Sequence, residues 1–291
     1  MAKYHDKCIL CNSSRLTDLQ GYERHEMCKC TSCGFVFMKR IPTLEELGEH
    51  YKLYSYTNDS NVSPVTIKSF EALLDDFEPF RKNNLILDVG CGKGYFLNEA
   101  RKRGWQVYGT EFSEQAVKIC REKGITMYQG DLNPSDFGGL KFDVVYNSEV
   151  IEHVNNPTLQ FAKMNELLRT GGLLYMTTPN FNCYLRHKYK ADYNIIEYPE
   201  HLGYFTKATL NMGLENAGFK RQKLLTTGIS ISRAAFSKGS VEKVAEVLSK
   251  EENLRATMSS NSLMKTVKKM VNTLLTLSGL GITLKAYYIK P

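Results

Sequence analysis

The chain has 291 residues, of which 42% are hydrophobic and 24% charged, enough apolar content for one main domain and a smaller one around a full core. That composition excludes disorder, collagen and coiled coil, and no apolar run reaches the roughly 18 to 20 residues that a membrane span requires. The net charge of +7 gathers late in the chain: residues 1–60 hold 8 basic against 8 acidic side chains, and residues 229–291 hold 10 against 4. A nucleic-acid binder concentrates Lys and Arg at its recognition module, and here the cysteine-rich N-terminus is neutral, which counts against a nucleic-acid partner. The first residues lack the apolar stretch of a signal peptide, so a soluble cytoplasmic protein is expected.

Five of the eight cysteines lie in the first 33 residues, as Cys8 and Cys11, then Cys28, Cys30 and Cys33. CxxC, eighteen residues, CxxC is the spacing of a zinc ribbon: two tight knuckles supply four thiolates to a tetrahedral ion with no open position for water, so the metal is structural. Cys8, Cys11, Cys30 and Cys33 are the expected Zn2+ ligands; Cys28 is the spare and the alternative to Cys30. Next come Pro42 and the tyrosines Tyr51, Tyr54 and Tyr56, then a helix predicted at 64–80.

From residue 85 short apolar runs alternate with helical patterns, the signature of a parallel sheet covered by helices. Strands are predicted at 85–90, 105–110, 125–129, 142–147 and 172–178, with helices at 94–103, 113–123 and 157–168. A long loop, a helix at 206–217 and a strand at 219–228 follow, and a last strand at 282–289. The first of these strands, Leu85 to Val89, runs into Gly90, Gly92 and Gly94 at the opening of a helix. The glycines let the backbone approach a ligand, and Asp88 can order the turn and meet an ammonium group through water. The spacing is GxGxG behind an acid, not the GxGxxG of a dinucleotide fingerprint. Glu111, with Phe112 after it, ends the second strand where a carboxylate can accept both hydroxyls of a ribose; Asp131 follows the third and can accept from an adenine amino group while Leu132 covers the ring.

Through Asp88 to Gly94, Glu111, Gly130-Asp131-Leu132, the segment 142–154 and the segment 167–180, in that order, the chain resembles the class I S-adenosylmethionine-dependent methyltransferases. The resemblance implies an α/β fold, a seven-stranded Rossmann-like sheet whose last strand is antiparallel. It also implies roles: the loop from Gly90 to Gly94 holds methionine, Glu111 ribose, Asp131 adenine, and the backbone near Asn147 and Ser148 the sulfonium side. The units are then a zinc-ribbon module and linker (1–60), the methyltransferase core (61–229), a helical insertion (230–280) and the closing strand of the core (281–291).

A sulfonium is already activated, so such an enzyme mainly aligns the acceptor and removes its proton. His153 is read as structural, held by neighbouring backbone. Tyr198, Glu200 and His201 put a phenol, a carboxylate and an imidazole on one short loop, Glu200 to orient the ring and His201 to take the proton; the bland alternative is a packed loop in which His201 caps the helix at Thr206. With the cysteine module, this loop is similar to that of bacterial sugar methyltransferases acting on thymidine-diphosphate deoxysugars, which implies Tyr198, Glu200 and His201 as the catalytic set and Tyr56 as a further active-site tyrosine. The chain lacks the large C-terminal domain of that family's carbon-methylating members, so the implied acceptor is a hydroxyl of a surface glycan or nucleotide sugar. A phenol or quinone O-methyltransferase and a non-catalytic S-adenosylmethionine-binding regulator are the alternatives. Helices are predicted at 241–257 and 262–278; the second has an apolar face opposite Lys265, Lys268 and Lys269. It either packs on its own core or lies peripherally on the inner face of a membrane.

Overall fold

The computed structural model describes residues 3–43, 45–48, 62–236, 254, 257 and 262–291. Tyr51, Tyr54, Tyr56 and nearly all of the helix predicted at 241–257 lie outside the described residues. The chain opens with short strands β1 (Lys3–Tyr4), β2 (Leu16–Asp18), β3 (Met27–Cys30), β4 (Val36–Met38) and β5 (Arg40–Ile41). The core runs through α1 (Pro64–Phe77), β6 (Leu85–Val89), α2 (Tyr95–Lys102), β7 (Gln106–Glu111), α3 (Glu114–Glu122), β8 (Thr126–Gln129), β9 (Phe142–Ser148), α4 (Pro157–Leu167) and β10 (Leu168–Pro179). After it come α5 (Tyr184–Tyr189), β11 (Gly203–Tyr204), α6 (Lys207–Asn216), β12 (Lys220–Thr227), α7 (Ile231–Phe236), α8 (Ser262–Ser278) and β13 (Thr283–Ile289).

The main sheet has seven strands in the order β12-β13-β10-β9-β6-β7-β8. β13 pairs antiparallel with β10 and β12, and the pairs from β10 to β8 are parallel. This is the mixed α/β sheet expected of a methyltransferase core. Its strands alternate between two apolar layers, as a period of two residues dictates. Leu85, Leu87 and Val89 of β6 face one layer with Phe142, Phe161 and Leu174, while Ile86 faces the other with Leu74, Phe77 and Phe96. The helices start where their caps place them: Ser63 accepts from the Thr66 N–H ahead of Pro64, Ser113 from Ala116, Asn156 from Leu159 ahead of Pro157, and Thr206 forms a reciprocal capping box with Thr209.

Asp143, fully buried at the start of β9, accepts from the Lys82 N–H (2.9 Å) and from Arg169 Nε (2.6 Å). Burial pushes its pKa up, but Arg169 and the neighbouring amides more than offset this and hold it below the ordinary carboxylate value. Arg169→Ala strands that charge, and unfolding in urea should show a loss of about 3 kcal/mol. The pair's contribution is present above the unfolded carboxylate value of about 4 and is lost as the pH falls through the lower folded value.

Three features depart from the sequence reading. The strand predicted at 172–178 extends over Leu168–Pro179, with a register shift between Leu168 and Leu173. The long loop after it carries α5 and β11. Finally, β11 does not join the main sheet. It is the edge strand of a four-stranded sheet ordered β11-β4-β3-β2, with Gly203 opposite Phe37 and Tyr204 opposite Val36. The N-terminal module and the core thus share a strand, and they also share apolar packing: Cys28, Cys30, Phe35 and Phe37 belong to the same buried cluster as Phe161 and Phe205.

α8 is fixed to the sheet edge by the Thr276 hydroxyl donating to the Thr226 carbonyl and by Asn272 Oδ1 accepting from Gly228 N–H. Its Leu263, Met270, Leu274 and Leu277 are exposed. Among the described residues no helix is long and apolar enough to cross a membrane.

Candidate active site

The glycine turn leaves β6 at the C-terminal edge of the parallel strands, where open α/β sheets bind ligands. Gly90 has φ 75°, and a Cβ there would lie 2.6 Å from a Val150 methyl, so no other residue fits. Gly92 has φ 51° and open space where its Cβ would be; this is the point at which a ligand can reach the backbone. Glu111 fixes the turn. One carboxylate oxygen accepts from Gly92 N–H at 2.9 Å and the other from Ser113 N–H at 3.0 Å. Each oxygen keeps a further acceptor direction, the two that vicinal ribose hydroxyls require. Glu111→Ala removes both roles, and calorimetric titration with S-adenosylmethionine should show affinity weakened by about 1 to 3 kcal/mol.

The other expected cofactor residues line this edge with different emphasis. Asp88 is buried, and burial first, then the charges of Cys120 and Glu111, raise its pKa well above the ordinary value. A cation nearby would stabilise its ionised form. Asp131 is exposed beside the turn; its neighbour Gly130 donates its N–H to the Glu111 carbonyl (2.9 Å). Leu132, expected to cover a base, is buried with the core, whereas Phe112 is 57% exposed and offers the apolar surface. Asn147 donates to the Val89 carbonyl at 3.4 Å, and its buried Oδ1 has no partner among the described residues. Ser148 Oγ lies 2.8 Å from Thr177 Oγ1.

Around His201 the structure adds partners that the sequence reading did not name. Glu200 lies close enough to favour the charged form of His201, and the helix cap at Thr206 is the threonine's own side chain, not His201. The Nδ1 of His201 is 2.7 Å from the Ile195 carbonyl, which can only accept, so Nδ1 carries the proton and Nε2 the lone pair. Burial and the neighbouring His153 push its pKa down to about 4, with Glu200 opposing. Glu200 gives its backbone carbonyl to His153 Nδ1 (2.7 Å). Tyr198 turns toward the N-terminal module: its hydroxyl donates to Glu46 (3.3 Å) and the Arg40 guanidinium lies 5.1 Å over its ring.

Three residues of the β9 exit lie in the same region: His153, which the sequence reading took as structural, and Glu149 and Glu152, to which it gave no role. The His153 ring is 4.8 Å from that of His201. Glu152 is 2% exposed; its Oε2 accepts from the Thr178 hydroxyl (2.9 Å), and its Oε1 lies 3.9 Å from His153 Nε2 without a hydrogen bond. Burial and the charge of Glu149 push Glu152 well above the usual carboxylate range. Glu149, at φ 53°, lies 3.6 Å from Arg233. The signal was present in the Glu149 to His153 segment, but nothing local says that it meets residue 201. Ligand atoms of Glu152, His153 and His201 all lie within 4.8 Å of one another, and so do the sulfurs of Cys8, Cys11, Cys30 and Cys33. In the cysteine group Cys8 faces Cys33 and Cys11 faces Cys30, each at 3.6 Å, and Cys28 stays outside it. Four thiols so grouped, on turns opened by Asn12 and Gly34 in left-handed backbone, fit a tetrahedral ion.

Comparison with known proteins agrees with the fold of the core. A family model described as a methyltransferase domain matches residues 66–224. Among curated proteins the chain is 33% identical over 103 residues to a ubiquinone biosynthesis O-methyltransferase of Cereibacter sphaeroides, covering 33% of this chain and 42% of that one. It is 34% identical over 119 residues to the protein of the same name from Roseobacter denitrificans, covering 39% and 48%. The chain thus spans less than half the length of these two relatives. Among solved structures, a SAM-dependent methyltransferase from Archaeoglobus fulgidus superposes with a TM-score of 0.51 at 20% identity, over 83% of this chain and 100% of that one. Phosphoethanolamine N-methyltransferase 2 of Haemonchus contortus, in complex with S-adenosyl-L-methionine, gives 0.55 at 18%, over 88% and 63%. At such identities the likeness is one of fold. With the family model spanning more than half of the chain and the glycine turn, Glu111 and the seven-stranded sheet in register with it, the chain belongs to the S-adenosylmethionine-dependent methyltransferases.

Proposed function

We propose that the protein methylates a hydroxyl of a small molecule, with His201 as general base and Cys8, Cys11, Cys30 and Cys33 holding a structural Zn2+. The observation that carries this reading is the His201 geometry: a neutral imidazole with Nδ1–H tied to the Ile195 carbonyl and Nε2 left as acceptor. Bound S-adenosylmethionine supplies the electrophilic methyl group. The chain's own residues do the rest. Glu111 and the glycine turn hold the nucleoside and amino-acid ends, Phe112 offers a flat apolar wall, and His201 Nε2 receives the hydroxyl proton as the new O–CH3 bond forms. Nitrogen acceptors need no such base once unprotonated, so a base poised in its neutral form favours oxygen. The relatives named for ubiquinone biosynthesis, which are O-methyltransferases, support a phenolic or quinone-like acceptor.

A carbohydrate hydroxyl is the second reading, and one observation favours it. The chain segment after Tyr198 to His201 is itself a strand of the cysteine module's sheet, joining the two features on which the likeness to sugar methyltransferases rests. Labelled methyl transfer into a fractionated bacterial extract separates the two. Label in quinone or phenolic fractions supports the first, label in nucleotide sugars or glycans the second. Label confined to protein or RNA discards both.

A further inference from the structure

The proposed reaction makes no use of α8, which turns an apolar stripe outward. Leu263, Val267, Met270, Leu274 and Leu277 recur at alternating intervals of four and three residues, which puts them on one face of the helix. They are exposed, from 38% at Val267 to 79% at Leu277. The opposite face is bonded to the sheet. Thr226 Oγ1 donates to the Leu275 carbonyl, Thr276 Oγ1 to the Thr226 carbonyl (2.9 Å) and Gly228 N–H to Asn272 Oδ1 (3.0 Å). These bonds keep the stripe from turning inward, and they run in opposite order along the two elements, so α8 is antiparallel to β12. Because β12 and β10 both pair antiparallel with β13, they point the same way. β12 therefore ends at the edge that carries the glycine turn, and the first half of α8 lies toward that edge.

That half also carries charge. Lys265, Lys268 and Lys269 lie away from the stripe, and residues 262–291 hold five lysines and no acidic side chain. The sheet adds to the patch: burial first, then the charge of Lys268, push the pKa of Lys285 on β13 down, with Lys223 of β12 adding to this and Glu149 opposing. Among the described residues none of Lys223, Lys265, Lys268, Lys269 and Lys285 is in an ion pair. A helix with its side chains is about 10 to 12 Å across, so these ammonium groups stand on the order of one Debye length from any plane that the stripe touches, near enough to feel its charge. A second copy of the chain would cover the stripe but bring the same positive charge with it. An anionic lipid surface covers the one and neutralises the other. The helix is not long and apolar enough to cross a membrane, which leaves it to lie along the surface.

We propose that α8 binds anionic lipid, lying in the plane of the surface with Leu263, Val267, Met270, Leu274 and Leu277 at the boundary of headgroups and acyl chains and its lysines drawn to the headgroup phosphates. Lipid binding of this kind is independent of the acceptor. It places the cofactor edge beside a surface where an acceptor with an apolar tail collects, and that consequence alone rests on the reaction proposed above.

The test floats the full-length protein through a density gradient with vesicles of phosphatidylcholine alone or of phosphatidylcholine mixed with phosphatidylglycerol. At low salt the protein should rise with the mixed vesicles about tenfold more than with the neutral ones, and the difference should shrink as salt is added. Met270→Glu combined with Leu274→Glu should stay at the bottom of the gradient, and so should Lys265→Glu combined with Lys268→Glu. All four positions are exposed, so both variants should melt like the wild type by circular dichroism. A wild-type protein that stays down at low salt, or that rises equally with both vesicles, would overturn the proposal. Unchanged flotation of the Met270→Glu, Leu274→Glu protein would overturn the assignment to α8. A wild type that does not float and sediments as a dimer, with that variant a monomer, would give the stripe to a second copy instead.

Discussion

Replacing His201 with Ala should slow methyl transfer a hundredfold or more while leaving S-adenosylmethionine affinity within about twofold, the signature of a lost general base. The pH profile gives the sharper reading. A base must be neutral to act, and burial and His153 hold His201 down to about 4 from its ordinary 6.5. The rate should therefore stay level from pH 8 down to about 5, where an unperturbed histidine would already have lost most of its basic form. His153→Ala removes the second of those causes, so the acid limb should move toward higher pH. Near-normal turnover of His201→Ala, or an acid limb at an ordinary histidine value in the wild type, would transfer the proton to another group.

The fold was largely legible because local patterns and long-range packing agree over residues 85–228. Two-residue alternation in Leu85 to Val89, turn glycines, and caps at Ser113 and Asn156 each point to the same element boundaries. The meeting of Gly92 and Glu111 was legible for the same reason: Gly92 lies just past the end of one strand and Glu111 ends the next, and parallel strands end at one edge. The cysteine group followed from spacing alone, and Cys30, not Cys28, joins it because CxxC is the knuckle length.

The surroundings of His201 were not legible, and the cause is physical. His153 and His201 meet because Leu202 donates its N–H to the Glu152 carbonyl at 2.7 Å and His153 Nδ1 bonds the Glu200 carbonyl at 2.7 Å, two bonds between distant segments. No periodicity encodes them. The two residues Gly203–Tyr204 are too short to announce a strand; pairing with β4 makes them one. Hence Ile195 and His153, which the sequence reading did not offer as partners, join Glu200 around His201, while Tyr198 turns to Glu46.

That same stitch makes metal removal the most damaging manipulation of the N-terminal module. Its sheet is small, and its cysteines contribute to packing as well as to the proposed Zn2+ site: Cys8, Cys28 and Cys30 are buried with Phe35 and Phe37. In modules of this size the bound ion supplies much of the folding free energy, about 10 to 16 kcal/mol in isolated zinc-finger peptides. Loss of the ion should therefore unfold the β2–β4 sheet, and two connections then fail. β11 loses its partner strand, and Met38 N–H no longer donates to the Leu202 carbonyl (2.9 Å), the residue whose own N–H is bound to Glu152. The Phe35–Phe205 contact, with ring centroids 4.8 Å apart, goes with them. The cofactor turn has no such dependence, because Gly92 and Glu111 are held within the main sheet. Chelation, or Cys30→Ser, should thus bring zinc from one per chain to none and abolish methyl transfer, while S-adenosylmethionine still binds. Cys28→Ser should retain the ion, because Cys28 lies outside the group. Mass spectrometry under native conditions reads the metal, and calorimetry reads the cofactor. A Cys30→Ser protein that turns over normally would show that the module does not support the His153–His201 pair.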